Sequence, residues 1–190
     1  MKRLGILGGT FDPIHNGHLV MAQIALETMK LDQVVFVPSN LPPHKKQKGI
    51  FAAADRFKMV KLATTGNSFF SVSDVEFIRP GKSYTIDTVK HFKKAYPKTL
   101  LFFITGSDSF STISSWKNWQ EILNFVQIIV VNRPGKYQFN KKIKHFTVSM
   151  PSMDVSSSLV RERIKKNKSV RYFVPDKVYE YIEQIRKSIM

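Results

Sequence analysis

The stretch Gly8-Gly9-Thr10-Phe11-Asp12-Pro13-Ile14-His15-Asn16-Gly17-His18 constrains this chain more than any other. An apolar segment, Leu4 to Leu7, precedes it and reads as a buried strand. Leu19, Val20, Met21, Ile24, Ala25, Leu26 and Met29 follow it at helical spacing. The unit is therefore a strand, a tight turn and a helix. Gly8 and Gly9 carry no side chains, so a ligand can lie directly against their backbone. Asn16 is the N-cap candidate, with Gly17 a weaker one. A helix entrance offers unpaired N–H groups and the positive end of a dipole, and both attract anions. His15 and His18 are three residues apart and can face one small volume. A glycine turn, a helix mouth and two imidazoles together describe a phosphate site. Taken singly, the glycines could merely make a turn and either histidine could merely pack.

The rest of the chain reads as alternating strands and helices. Val34 to Pro38 is a short β-branched apolar run, the pattern of a strand covered on both faces. Asp55 to Thr65 reads as an amphipathic helix, Phe69 to Val72 as a strand, and Val75 to Ile78 as another strand. Val89 to Tyr96 reads as a helix stopped by Pro97. Thr99 to Thr105 is the most apolar strand and the natural centre of a sheet. Ile122 to Phe125 reads as helical, Val126 to Val131 as a buried strand, and Phe146 to Val148 as a short one. A helix opens near Ser156, and a last one follows Pro175, which suits a first-turn position. Residues 39–49 and 136–145 are rich in lysine, with prolines in the first, and read as solvated loops. No internal repeat is visible. The expectation is one Rossmann-like, doubly wound α/β domain over residues 1–190, with a mostly parallel sheet and a short helical C-terminal region.

Composition narrows the chemistry. The chain has no cysteine, which excludes disulfides, thiolate metal sites and cysteine nucleophiles. The apolar start after Met1-Lys2-Arg3 is too short for a signal peptide, and no run reaches the ~20 residues of a membrane span. The expected setting is soluble and cytoplasmic, without a membrane partner. The formal net charge is +16, and residues 133–190 hold 14 of the 30 basic residues but only 5 of the 14 acidic ones. Such a surface gathers polyanions. Charge alone does not choose between nucleic acid and a nucleoside triphosphate.

Further positions carry chemistry by their placement. Gly106 and Asp108 follow the central strand, and in open α/β sheets ligands bind outside such strand ends. Asp108 can accept hydrogen bonds from ribose hydroxyls or can simply cap. Arg133 stands at the end of the next strand, within reach of a nucleotide. Ser156, Ser157 and Ser158 are three hydroxyls at a helix start with no Glu at the capping-box position, so the first N–H groups remain available to an anion. Arg161 adds charge one turn in. Core packing is the usual fate of a tryptophan, but Trp116 follows a polar stretch and offers an exposed ring for stacking. Gly81-Lys82-Ser83 mimics the end of a P-loop, but that motif needs a glycine where this chain has Glu76.

These strings carry a resemblance. Gly-Gly-Thr-Phe-Asp-Pro-x-His-x-Gly-His resembles the signature of the HxGH nucleotidyltransferase superfamily. Its Gly-Gly-Thr-Phe-Asp-Pro opening resembles the bacterial nicotinate-nucleotide adenylyltransferase family in particular. Arg79-Pro80-Gly81-Lys82-Ser83-Tyr84-Thr85-Ile86-Asp87-Thr88 and the Ser156–Arg161 segment also match that family's order. The resemblance implies joining ATP to nicotinate mononucleotide, giving deamido-NAD and pyrophosphate, with Mg2+ and no metal ligand set on the protein. It implies catalytic roles for His15 and His18. It places Gly8, Gly9, Thr10, Phe11, Gly106, Asp108, Arg133, Ser156, Ser157, Ser158 and Arg161 at ATP. It places Lys45, Tyr84, Thr85 and Trp116 at the pyridine nucleotide and leaves Trp119 to the core. The chain departs from the family pattern at Thr112 and Ser115, where Tyr and Lys are usual, and mildly at Ser158. A pantetheine-phosphate transferase is the nearer alternative, though its substrate has no pyridine for Thr85 and Trp116. A nucleic-acid binder is the further one; the lysines are scattered and no nucleic-acid motif is present. The oligomeric state is left open, a homo-oligomer included.

Overall fold

A computed structural model of the chain describes residues 1–43, 51–132 and 142–189, the last three as backbone only. Among the described residues, six strands form one sheet in the order β3-β2-β1-β4-β5-β6, and all neighbouring pairs are parallel. The strands are β1 Arg3–Gly9, β2 Gln33–Pro38, β3 Phe70–Val72, β4 Leu100–Gly106, β5 Gln127–Asn132 and β6 Phe146–Ser149. The helices are α1 Asn16–Thr28, α2 Ala53–Thr64, α3 Val75–Ile78, α4 Thr85–Ala95, α5 Ser107–Ser111, α6 Trp119–Ile122, α7 Ser157–Lys165 and α8 Asp176–Ile189, with a 3-10 turn at Ile113–Ser115.

The strands alternate their side chains between two cores. Val34 and Phe36 of β2, Phe102 and Ile104 of β4, and Ile129 and Val131 of β5 face one side. Their neighbours Val35 and Val37, Leu101 and Phe103, and Ile128 and Val130 face the other. Each face is then covered. Met21, Ala22 and Ala25 of α1, Met59 and Val60 of α2, Val160 of α7 and Val178 and Ile182 of α8 pack on the first. Ile86, Val89 and Phe92 of α4, Phe110 of α5 and Ile122 of α6 pack on the second. A sheet buried on both faces needs apolar residues at successive positions, which is why its strands read as unbroken runs. The doubly wound expectation holds, with a sheet that is wholly rather than mostly parallel among the described residues.

Three local expectations are corrected, the first being that the helix read at Ile122 to Phe125 lies earlier, as α6, with Leu123 to Phe125 in a turn beyond it. Residues 75–78 form a one-turn helix, not a strand; an apolar run of four has no period that separates the two. The N-cap of α1 is His15, not Asn16. Asn16 is the first helical residue, and its amide Nδ2 donates to the Tyr172 carbonyl at 2.7 Å. No helix among the described residues is long and apolar enough to cross a membrane.

Candidate active site

The chain runs outward from β1 through β2 to β3, then returns to β4 on the other side of β1. That reversal leaves a crevice above the C-terminal ends of β1 and β4, where neighbouring connections diverge to opposite faces. A cleft of about 420 Å3 lies there, a size that suits a small-molecule ligand.

The turn after β1 forms its floor. Gly8, Gly9, Thr10 and Phe11 all line the cleft. A Cβ on Gly8 would come within 3.2 Å of the Phe103 ring, and one on Gly9 within 3.0 Å of the Phe11 ring. Close packing of aromatic rings beneath the turn thus leaves little room for a side chain at either position. Phe11 is 2% exposed and has a positive φ of 47°. For a bulky residue that conformation costs about 1–2 kcal/mol, and burial of the ring holds it. Asp12 turns inward: its Oδ1 accepts from the Phe51 N–H at 2.8 Å, and its Oδ2 lies 3.3 Å from Arg161 Nη1.

The paired histidines sit at the mouth of α1 and both line the cleft. Their ring centroids are 3.7 Å apart. The His15 backbone N–H donates to His18 Nδ1 at 3.2 Å. An accepting Nδ1 puts the proton of the neutral His18 ring on Nε2, making that nitrogen a donor. A Cβ on Gly17 would lie 3.1 Å from His15 Nδ1, so the glycine between the histidines gives the His15 ring its space.

The opposite walls come from distant parts of the chain. Ser156 and Ser157 line the cleft at the start of α7. Ser156 caps that helix by accepting from the Leu159 N–H at 3.1 Å, so one N–H expected to be available is taken. Ser157 Oγ donates to the Pro13 carbonyl at 2.9 Å, stitching α7 to the turn after β1. His18 and Ser157 therefore share one cleft. Ser158 and Arg161 are not among its lining residues. Arg161 donates to the Asp12 carbonyl at 2.5 Å and to Ser158 Oγ at 3.1 Å, beside the Asp12 carboxylate. Gly106 and Asp108 line the cleft after β4. A Cβ on Gly106 would meet Asp108 Oδ1 at 2.7 Å, so the glycine accommodates that carboxylate.

Tyr84, Thr85 and Trp116 also line the cleft. Tyr84 is the N-cap of α4 and Thr85 its first residue. The Trp116 ring stands edge-on to Phe103 at 5.7 Å. Trp119 lies outside the cleft and, partly buried, packs on the second core. Lys45 and Arg133 fall outside the described residues, as does most of the 39–49 loop; Ser39, Pro42 and Pro43 of that loop line the cleft.

Three residues here were not singled out by the sequence reading. Arg56, 1% exposed, donates to the carbonyls of Thr10 at 2.7 Å, Ser39 at 2.6 Å, Asn40 at 3.1 Å and Phe51 at 3.3 Å. Burial pushes its guanidinium below the usual value, opposed by the charges of Asp12 and Glu76. Glu76, 6% exposed, lines the cleft and accepts from Thr88 Oγ1 at 2.6 Å. Burial pushes its carboxyl above the usual range, with the Thr88 hydroxyl and the Arg79 charge pulling the other way. Lys117, beside Trp116, also lines the cleft. The signal was present for Arg56: it shares a helical face with Met59 and Val60, and a charge on an apolar stripe is buried only when its donors are satisfied. No group of three or more His, Asp or Glu side chains among the described residues could hold a metal ion.

A family model described as cytidylyltransferase-like matches residues 6–163. A probable nicotinate-nucleotide adenylyltransferase of Shouchella clausii is 46% identical over 184 residues, covering 97% of this chain and 95% of the relative. The nicotinate-nucleotide adenylyltransferase of Bacillus subtilis is 42% identical over 184 residues, covering 97% of each chain. Among solved structures, Plasmodium falciparum nicotinic acid mononucleotide adenylyltransferase complexed with NaAD matches with a TM-score of 0.81 and 20% identity, covering 97% of this chain and 96% of that one. At that identity the likeness is one of fold.

Proposed function

The chain belongs to the nicotinate-nucleotide adenylyltransferase family within the cytidylyltransferase-like fold, and on that premise we propose that its cleft joins ATP to nicotinate mononucleotide, releasing pyrophosphate and forming deamido-NAD. One observation carries the reading: His15, His18, Ser156 and Ser157 open into the same cleft as Thr85 and Trp116. The first set suits a triphosphate and the second a flat ring bearing a small anion.

Transfer of this kind needs little covalent chemistry from the protein; positioning and charge stabilisation do most of it. The phosphate of the mononucleotide attacks the α-phosphorus of ATP in line. A P–O bond forms to the incoming oxygen as the bond to the departing pyrophosphate breaks, without a covalent enzyme intermediate. The His18 donor, with its Nδ1 held by the His15 backbone, meets oxygens of the transferring phosphoryl group as charge builds. The backbone of Gly8 to Phe11 lies against the nucleotide, and Gly106 and Asp108 face its ribose. Ser156 and Ser157 meet the departing phosphates. Ser158 and Arg161 complete that helix mouth; in the present arrangement Arg161 is held by Asp12 and reaches phosphate by exchanging that partner. Lys45 and Arg133 are assigned to the same substrates on family grounds. A divalent cation such as Mg2+ would enter with the triphosphate as part of the substrate, where it would supply charge neutralisation. Tyr84 and Thr85 take the carboxylate and Trp116 stacks on the pyridine. We further read the protein as a cytoplasmic enzyme of small molecules, with no nucleic-acid partner.

The test is an acceptor panel. The purified chain is incubated with ATP and Mg2+ plus nicotinate mononucleotide, nicotinamide mononucleotide or pantetheine phosphate, and pyrophosphate release is followed. Preferential release with the nicotinate nucleotide is expected. Preference for pantetheine phosphate, or no release with any acceptor, overturns the reading.

A further inference from the structure

We propose that the side chain of Lys117 is a specificity-determining residue that selects an acidic over a neutral pyridine nucleotide, its ammonium pairing with the carboxylate on the ring. The inference rests on the function proposed above and names a residue for one of its choices. Trp116 and Thr85 cannot make that choice alone. A stacking ring grips the acid and the amide alike, and a threonine hydroxyl can bond to either.

The electrostatics of the cleft point to Lys117. Among the described residues lining it, Lys117 is the one lysine or arginine, whereas Glu76 and Asp108 bring carboxyl groups. An additional carboxylate entering beside Glu76 is repelled to the extent that Glu76 is ionised, and a cation there adds to the pull of the α4 helix mouth against that repulsion. Lys117 is at that mouth. Its Nζ lies over the ring of Tyr84, 4.4 Å from the centroid, and Tyr84 precedes Thr85 at the mouth of α4.

Lys117 is also held and uncommitted. It takes part in none of the ion pairs found among the described residues. Its backbone position is set on both sides. The Trp116 N–H donates to the Ile113 carbonyl at 2.9 Å, and Asn118 adopts a left-handed conformation at φ 51°. Asn tolerates that conformation better than most residues. The turn therefore delivers the indole and the ammonium as a pair. An ammonium resting on an aromatic face points part of its N–H set at the ring and keeps the remaining donors for a ligand on its other side.

Steady-state kinetics of the wild type, Lys117→Met and Lys117→Arg with nicotinate and nicotinamide mononucleotides test this. Lys117→Met is expected to lower the acid-to-amide ratio of kcat/KM about fivefold, the upper end for an exposed charge pair. The change falls on the KM of the acid, with the KM of ATP and the melting temperature unchanged. Lys117→Arg is expected to keep most of the preference. Added salt is expected to erode the preference of the wild type and not of Lys117→Met. A Lys117→Met ratio within twofold of wild type overturns the inference. So does an equal loss for both nucleotides, which would mean that the lysine only covers Tyr84. A wild type that turns over neither nucleotide overturns this inference and the function beneath it; a working wild type with an unchanged variant overturns this inference alone.

Discussion

At the scale of single residues, the cleft is built by side chains whose neighbours restrict them. His18 is oriented by a backbone donor and by the edge of Phe11, whose ring centroid is 5.0 Å away. A preorganised donor of this kind contributes roughly 10²–10³ in rate. His18→Ala is therefore expected to lower kcat by at least ~10² while its circular dichroism and melting temperature stay near wild type; near-full turnover would remove the histidine from the mechanism. Glu76 makes a different prediction. Burial raises its pKa, so the folded state binds its proton more tightly than the unfolded state does. Its contribution to stability is then fully present below the unfolded pKa of 4.5 and is lost as the pH rises through the folded value. Thermal melts from pH 4 upward are expected to show this decline in the wild type and a flatter course in Glu76→Gln, which keeps the shape and cannot ionise. Parallel curves would show that Glu76 titrates alike in both states.

Elements place these residues through their ends. The mouths of α1, α4 and α7 all open into the cleft, and that of α7 is set locally. Ser156 caps α7 through the Leu159 N–H. Loss of such a cap costs about 1 kcal/mol. Ser156→Ala is thus expected to lower the melting temperature by about 2–4 °C in a chain of this length, measured by calorimetry without ligand. A shift well above that would mean that Ser156 supports more than its own helix. The α1 entrance shows why cap reading from sequence is fallible. Asn16 has the right chemistry for an N-cap, but its amide is committed to the carbonyl of Tyr172, a residue 156 positions away. The one-turn helix at 75–78 shows the complementary failure. Four apolar residues suffice for either a strand or a turn of helix, and the Phe77 N–H donating to the Asp74 carbonyl at 2.7 Å settles it.

For the molecule as a whole, stability and site depend on the same buried charge. Arg56 joins the turn after β1, the segment after β2 and Phe51, two residues before α2, through four backbone carbonyls. Replacing it strands several buried acceptors, each costing about 1–3 kcal/mol. Arg56→Leu is expected to lose at least ~3 kcal/mol of unfolding free energy in urea titrations, with binding of ATP weakened because Thr10 and Ser39 move. A loss below ~1 kcal/mol would mean that water replaces the guanidinium at little cost.

Much was legible along the chain because it is written in local patterns. The continuous runs at 34–38, 99–105 and 126–131 announced doubly covered parallel strands, since a sheet buried on both faces leaves no polar side to alternate with. The Gly-Gly turn, the paired histidines and the first two serines of Ser156 to Ser158 stood out as short or polar groups at element ends, and the fold brings them to one cleft. Other features were settled by contacts between segments far apart in sequence. Folding alone brought Ser157 against Pro13, Arg161 against Asp12, Lys117 over Tyr84 and Arg56 beneath two strand ends. Periodicity records which way a residue faces along its own element. It carries no record of which distant group will satisfy a buried charge, because that partner is chosen only when the layers close on one another.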